Sequence, residues 1–148
     1  MPKITPFLWF NDNAEEAANF YLSIFKNSKI TNVKRYGEAG PGPAGTVMVV
    51  EFELDGQVFT ALNGGPHFKF NEAVSFVVRC KDLGEIDYYW DALSVAGEGQ
   101  CGWLKDKFGL SWQIVPENIG ELLSTPGAMK ALGTMKKLDI AALKNASA

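Results

Sequence analysis

At 148 residues, 47% apolar and 12% aromatic, the chain has material for one compact domain or two small modules sharing a core. Charged residues make up 21% and the net charge is −3, which argues against a broad basic face for nucleic acid. The start, Met1-Pro2-Lys3-Ile4-Thr5-Pro6, lacks the apolar run of a signal peptide, and no later run suits a membrane span, so a cytoplasmic protein without a membrane partner is expected. Cys80 and Cys101 form no Cys-x-x-Cys and are too few for a zinc ribbon; buried thiols are expected rather than a disulfide.

Ile4 to Phe10 is a short apolar run that suits a first strand. Asn13, with Glu16 three residues on, stands where a capping box would start a helix, and Ala17, Phe20, Tyr21 and Ile24 follow at helical spacing. Lys29 to Tyr36 alternates as a strand. The stretch 37–45 is broken throughout by glycine and proline, and a loop of that length in a small domain is more often functional than a mere connector. Thr46 to Leu54 alternates, with Met48, Val50, Phe52 and Leu54 on one face and Val47, Val49, Glu51 and Glu53 on the other. Asp55-Gly56 signals a hairpin into a strand over Val58–Asn63, and Gly64-Gly65-Pro66 ends it.

The pattern then recurs. Ala73–Cys80 reads as a strand, Asp82 and Glu85 repeat the cap, and Ile86, Tyr89, Trp90 and Leu93 repeat the helical stripe. Gly97-Glu98-Gly99-Gln100 reads as a turn, and Cys101–Lys105 and Leu110–Val115 as a hairpin ended by Pro116. Asp106, in its turn, is expected to cap backbone amides. Residues 55–62 and 108–115 align at one constant offset, as do 13–16 and 82–85 at another. The chain is therefore expected to be α+β, with two copies of a βαβββ module at about 1–66 and 67–117. A C-terminal helical tail follows at about 118–148, with Thr125 as N-cap, Pro126 at the first helical position and an apolar stripe of Met129, Leu132 and Met135.

A duplicated βαβββ module resembles the vicinal oxygen chelate superfamily, which includes glyoxalase I, bleomycin-resistance proteins and extradiol dioxygenases. Several segments are more closely similar to the PhnB-like family, also labelled "3-demethylubiquinone-9 3-methyltransferase". They are Pro6-Phe7-Leu8-Trp9-Phe10, Glu15-Glu16-Ala17, Asn63-Gly64-Gly65-Pro66, and the run from Cys101-Gly102-Trp103 to Ser111-Trp112-Gln113. The resemblance spans nearly the whole chain. It implies a curved, partly open barrel, a single domain over 1–148 and a homodimer, since superfamily members commonly pair.

The resemblance also implies where a divalent metal would sit. Superfamily ligands come from the first and last strands of each module, the last-strand ligand being the fourth residue after the hairpin glycine. Those positions fall on Thr60 and Gln113, on Ser75, and on Pro6 with Thr5 or Phe7 beside it. None is a histidine or carboxylate, and divalent zinc or nickel needs imidazole, thiolate or carboxylate to compete with water. A metal site and a cofactor are therefore not expected.

The candidate ligand-binding residues are Trp9, Glu51, Thr60, Asn63, His67, Ser75, Cys101, Trp103 and Gln113; no residue is assigned as catalytic. His67, the single histidine, is either a proton shuttle or an ordinary loop residue. Glu51 either meets a ligand or is simply solvated, depending on whether its face lines a cleft. Cys101 needs a nearby base to act as a nucleophile. The function expected is metal-free binding of an apolar or aromatic small molecule in the cleft between modules. The alternatives are a methyltransferase acting on a demethylubiquinone-like phenol, a metal-dependent lyase or dioxygenase, and a non-catalytic interaction protein. No strand–glycine turn–helix signature for S-adenosylmethionine is seen.

Overall fold

The computed structural model describes residues 2–146; Met1 and residues 147–148, the outer ends of the expected first module and tail, lie outside them. The chain divides into two compact units, Met1–Lys69 and Phe70–Ala148.

The first unit holds β1 (Phe7–Phe10), α1 (Ala14–Ile24), β2 (Lys29–Arg35), β3 (Val47–Leu54) and β4 (Gln57–Asn63). Its sheet runs β1-β4-β3-β2, with β1 parallel to β4 and the other pairs antiparallel. The expected alternation of β3 holds: Val50, Phe52 and Leu54 are buried, and with Leu8, Phe10, Phe59 and Ala61 they form the face packed under α1. Tyr21 stacks on Phe52, and Phe52 on Phe59 at 5.4 Å. Asp55 and Gly56 both have positive φ, 49° and 83°, so the β3–β4 hairpin closes through a two-residue turn of the type matching strand twist. β1 is shorter than expected because Pro6 offers no N–H to the ladder; its carbonyl still accepts from the Thr60 amide at 3.0 Å.

The first helix start differs from the expectation. Asn13 makes no side-chain cap. The Ala14 amide instead donates to Asn63 Oδ1 at 2.8 Å, from the far end of β4. A residue remote in sequence has taken the capping role, so the Asn13–Glu16 box is not formed.

The second unit holds β5 (Ser75–Cys80), α2 (Leu83–Leu93), a 3-10 turn over Ser94–Ala96, β6 (Trp103–Lys105) and β7 (Ser111–Pro116). Here the cap forms as expected: Asp82 accepts from the Glu85 amide at 2.9 Å, and Glu85 accepts from the Lys81 amide at 2.8 Å. The sheet runs β5-β7-β6, with β5 and β7 parallel as β1 and β4 are. The counterpart of β2 is reduced to a single bridge, Glu98 with Leu104. Gly97 and Gly99 around that bridge keep the backbone beside β6, with the Gly99 amide 2.8 Å from the Trp103 carbonyl. β6 starts later than expected because Cys101 and Gly102 have φ of 60° and 86°, outside strand geometry. Together the units form an α+β fold of two separate sheets, neither closed into a barrel.

The tail is three short helices, α3 (Ile119–Leu122), α4 (Pro126–Leu132) and α5 (Ile140–Ala146). Thr125 caps α4 through the Ala128 amide, as expected. The buried side is not the expected stripe: Leu122, Ala128, Leu138 and Leu143 are buried, whereas Met129 is exposed. The tail packs on its own unit. The Met135 and Lys136 carbonyls accept from the Cys101 and Gly102 amides at 2.8 Å, and Leu138 lies against Gly102. No helix among the described residues is long and apolar enough to cross a membrane.

Candidate functional site

Strand alternation sorts the candidate residues before any distance is considered. In the first sheet the face away from α1 carries Phe7, Thr60 and Glu51 in one row across β1, β4 and β3, with Trp9 and Leu62 in the next. In the second sheet the face away from the buried Trp112 and Ile114 carries Val77, Gln113 and Trp103 in one row, and Ser75, Ser111 and Lys105 in the next. Thr60 with Glu51, and Gln113 with Ser75 and Trp103, are thus brought together within their own units.

The expected metal positions do not fit a metal. Gln113 Nε2 donates to Ser75 Oγ at 2.9 Å, so the pair satisfies itself as neutral amide and hydroxyl. The carboxylate nearest in register to Thr60 is Glu51, a single anionic donor on β3, and on its other side Thr60 pairs with Phe7, which offers no donor. No group of three or more His, Cys, Asp or Glu side chains able to hold a metal occurs among the described residues. Such a donor set does not outcompete water for a divalent first-row cation.

Trp9 is a packing residue. Its indole N–H donates to the Gly65 carbonyl at 2.9 Å, its ring meets Phe68 edge-on at 4.9 Å, and it covers Gly64 so closely that a Cβ there has no room. Asn63 is fully engaged: besides capping α1, its Nδ2 donates to the Val47 carbonyl at 3.1 Å, and its own carbonyl accepts from Tyr36 Oη at 2.5 Å. Cys101 is half-buried, with Sγ 3.6 Å from the Leu132 carbonyl, which is no base. Cys80 is buried, and desolvation, helped by the Glu85 and Asp82 carboxylates, pushes its thiol up to about 12. Asp106 has the role expected of it and one more. Its carboxylate accepts from the Phe108 and Leu110 amides and also from the Trp112 indole N–H at 2.8 Å.

Two cavities flank these residues. One of about 750 Å³ lies in the first unit, where the 37–45 loop, the α1 start and the Gly64–His67 turn meet; Asp12, Glu15, Arg35 and His67 give it a polar lining. His67 stands exposed at its rim. The other, about 220 Å³, lies in the second unit on the open sheet face and is lined by Glu72, Ala96, Glu98, Trp103, Lys105 and Ser111 with neighbouring glycine backbone. Lys105 is ion-paired with Glu72, whose carboxyl it holds below the usual range. Ser111 was not among the candidates. It is buried, and its hydroxyl is the buried side-chain polar atom without a hydrogen-bond partner among the described residues. A serine between Leu110 and Trp112 on an otherwise buried strand was the one available sequence signal.

The family model described as 3-demethylubiquinone-9 3-methyltransferase matches residues 2–115. Among solved structures, the chain is similar to a putative 3-demethylubiquinone-9 3-methyltransferase, PhnB protein, from Bacillus cereus. That similarity has 40% identity and a TM-score of 0.67, over 77% of this chain and 99% of that one. Protein PA1353 from Pseudomonas aeruginosa shares the fold at 19% identity and TM-score 0.64, over 78% of this chain and 98% of that one. The trypanothione-dependent glyoxalase I of Leishmania major also shares it, at 15% identity and TM-score 0.50, over 91% and 99%. None of the curated proteins matches. The helical tail after residue 115 lies outside the matched span.

Proposed function

The chain belongs to the 3-demethylubiquinone-9 3-methyltransferase family, and we propose that it is a metal-free small-molecule-binding protein of the vicinal oxygen chelate type. The ligand proposed is apolar or aromatic, held against the open sheet faces by a few polar anchors. The observation that carries this reading is the Ser75–Gln113 hydrogen bond. It fills the second module's ligand positions with neutral groups that suit a ligand hydroxyl or carbonyl and not a cation, and Trp103 stands beside Gln113 in the same row.

The family label favours a second reading, methyl transfer to a phenolic acceptor. Against it, the glycine-rich loop 37–45 leads into strand β3 and opens no helix, so it lacks the amide-lined turn that usually receives S-adenosylmethionine. Metal analysis of the purified protein and a thermal-shift screen separate the readings. Substoichiometric metal, no shift with S-adenosylmethionine, and a shift with neutral aromatics are expected. Stoichiometric nickel, iron, manganese or zinc overturns the metal-free reading, and stabilisation by the cofactor favours the enzyme. Gln113→Ala and Trp103→Ala then weaken the aromatic ligand; unchanged affinity moves the site elsewhere.

A homodimer is part of the proposal. The edge strands β1 and β5 each carry an exposed apolar side chain, Phe7 at 60% and Val77 at 40%, and the residues just before them add Ile4 at 87% and Val74 at 63%. Unpaired apolar edges favour association with a second copy. A monomeric mass by light scattering at micromolar concentration refutes it.

A further inference from the structure

The dipeptide Asn63-Gly64 stands at the end of β4, and the fold requires each residue for a separate reason. Asn63 caps α1 and ties β3, while a Cβ at position 64 would run into the Trp9 ring. Side by side, the two make a chemically labile pair. Glycine has no side chain to shield its amide nitrogen, so that nitrogen can close on the asparagine Cγ as a five-membered imide. In that step the Gly64 N–Cγ bond forms and the Cγ–Nδ2 bond breaks. Nδ2 leaves as ammonia, taking the Gly64 amide proton. Water then opens the imide at either carbonyl, leaving aspartate or isoaspartate at position 63.

Every group that must move in this reaction is held. The nucleophile, Gly64 N–H, donates to the Phe10 carbonyl at 2.9 Å. The leaving group Nδ2 donates to the Val47 carbonyl at 3.1 Å, and Oδ1 accepts from the Ala14 amide at 2.8 Å. The Asn63 carbonyl accepts from Tyr36 Oη at 2.5 Å. That bond counts because the rotation about Cα–C that brings the nitrogen to Cγ also swings this carbonyl away. The extended backbone of β4 leaves the nitrogen turned from Cγ at the outset. Four bonds, from β1, β3, α1 and the residue after β2, thus hold one reacting unit. Water is at hand, since both residues line the larger cavity.

We propose that Asn63 is a latent deamidation site, kept unreacted by the folded first unit and converted when the Tyr36 side of the cavity opens. The reading does not depend on what the cavity binds. Conversion is one-way and loosens what it leaves. An aspartate at position 63 still accepts from the Ala14 amide but has no donor for the Val47 carbonyl. It also adds a third carboxylate to those of Asp12 and Glu15 on the same cavity. Isoaspartate lengthens the main chain by one carbon and shifts Gly64 from its fit under Trp9.

The test follows deamidation at Asn63 by peptide mass spectrometry in mildly alkaline buffer, for the folded protein and for the same chain in urea. One net hydrogen bond is worth about fivefold in an equilibrium, so four make the folded chain roughly 500-fold slower. Tyr36→Phe removes one tie and keeps the ring that packs on Gly42. It should speed deamidation about fivefold and speed hydrogen exchange at the Gly64 amide equally. Trp9→Phe removes the indole bond to the Gly65 carbonyl and should act in the same direction. Leu138→Ala weakens the second unit and should leave the Asn63 rate unchanged. A folded rate within about tenfold of the unfolded one overturns the proposal, since four held groups would then give no protection. Unchanged rates in both aromatic variants overturn the opening assigned to Tyr36. An equal rise in Leu138→Ala overturns it as well, because global unfolding would then be what exposes the site.

Discussion

Replacing Asp106 tests whether the β6–β7 turn is held by one buried carboxylate or by the hairpin backbone. The side chain is 2% exposed and accepts from the Phe108 amide at 2.8 Å, the Leu110 amide at 3.1 Å and the Trp112 indole at 2.8 Å. The turn's own backbone bonds, Asp106 N–H to the Leu110 carbonyl and Gly109 N–H to the Asp106 carbonyl, remain in any substitution. In Asp106→Ala all three donors lose this acceptor, and those of Leu110 and Trp112 are buried. At roughly 1–3 kcal/mol for each buried unsatisfied group, the loss is about 3–5 kcal/mol. That is a large share of the ~5–15 kcal/mol typical of a domain. Asp106→Asn separates the contributions. Its oxygen still serves the two amides, but its NH₂ faces the indole N–H, donor against donor, for a loss of about 2 kcal/mol. Trp112→Phe removes the indole donor, so D106N should cost less in that background, with a coupling of about 1 kcal/mol or more. Urea unfolding followed by far-ultraviolet circular dichroism reads these values, and at ~2 kcal/mol per molar urea the Ala variant loses about 2 M in midpoint. A D106N variant within about 0.5 kcal/mol of wild type, or additive behaviour in the cycle, would refute the argument.

Other outcomes follow from the same inventory of contacts. Asn63→Ala removes the remote cap of α1 and the tie to Val47, and should cost about 1–2 kcal/mol with faster amide exchange at Ala14; unchanged exchange there would contradict the capping role. Leu138→Ala opens a cavity against Gly102 and should cost about 2–4 kcal/mol in the same unfolding assay, whereas a near-neutral result would mean the tail is not part of the folded unit. Cys80 gives a pH dependence of definite sign. Its folded pKa is raised from 9.0 to about 12, so the unfolded chain loses the proton first and stability falls as pH rises through that interval. Cys80→Ala should flatten the fall between pH 9 and pH 11; an identical slope in both proteins would remove the thiol from the account.

Much of the fold was legible because its signals are local. Asp55-Gly56 specifies its turn through two positive φ angles, and Asp82 caps through a residue three positions on. Asn13 carries the same local signal and fails, because Asn63 reaches the Ala14 amide across 49 positions of sequence. The tail's buried side is likewise set by a remote contact. Met129 has helical spacing, but burial is decided by where Gly102 leaves room, and Leu138 occupies that room. At the site, alternation grouped Gln113 with Trp103 and set Thr60 beside Glu51 once registers were known. Ser111 could not be found that way. A hydroxyl becomes informative only when its neighbours leave it without a partner, and those neighbours come from β5, β6 and the bridge at Glu98.

The backbone bonds from Cys101 and Gly102 to Met135 and Lys136 also set an order of events during synthesis. Chains fold from the N-terminus as they emerge, and the first unit has all its strands by Asn63. The second unit reaches its last strand at Pro116, but the amides at the start of β6 then have no acceptor until the segment bearing Met135 has been made. During that interval the growing chain presents a finished half beside an unfinished one with a sticky margin. A ribosome that pauses late in the message, or a nascent chain cut short there, would release a polypeptide able to pair wrongly through that margin.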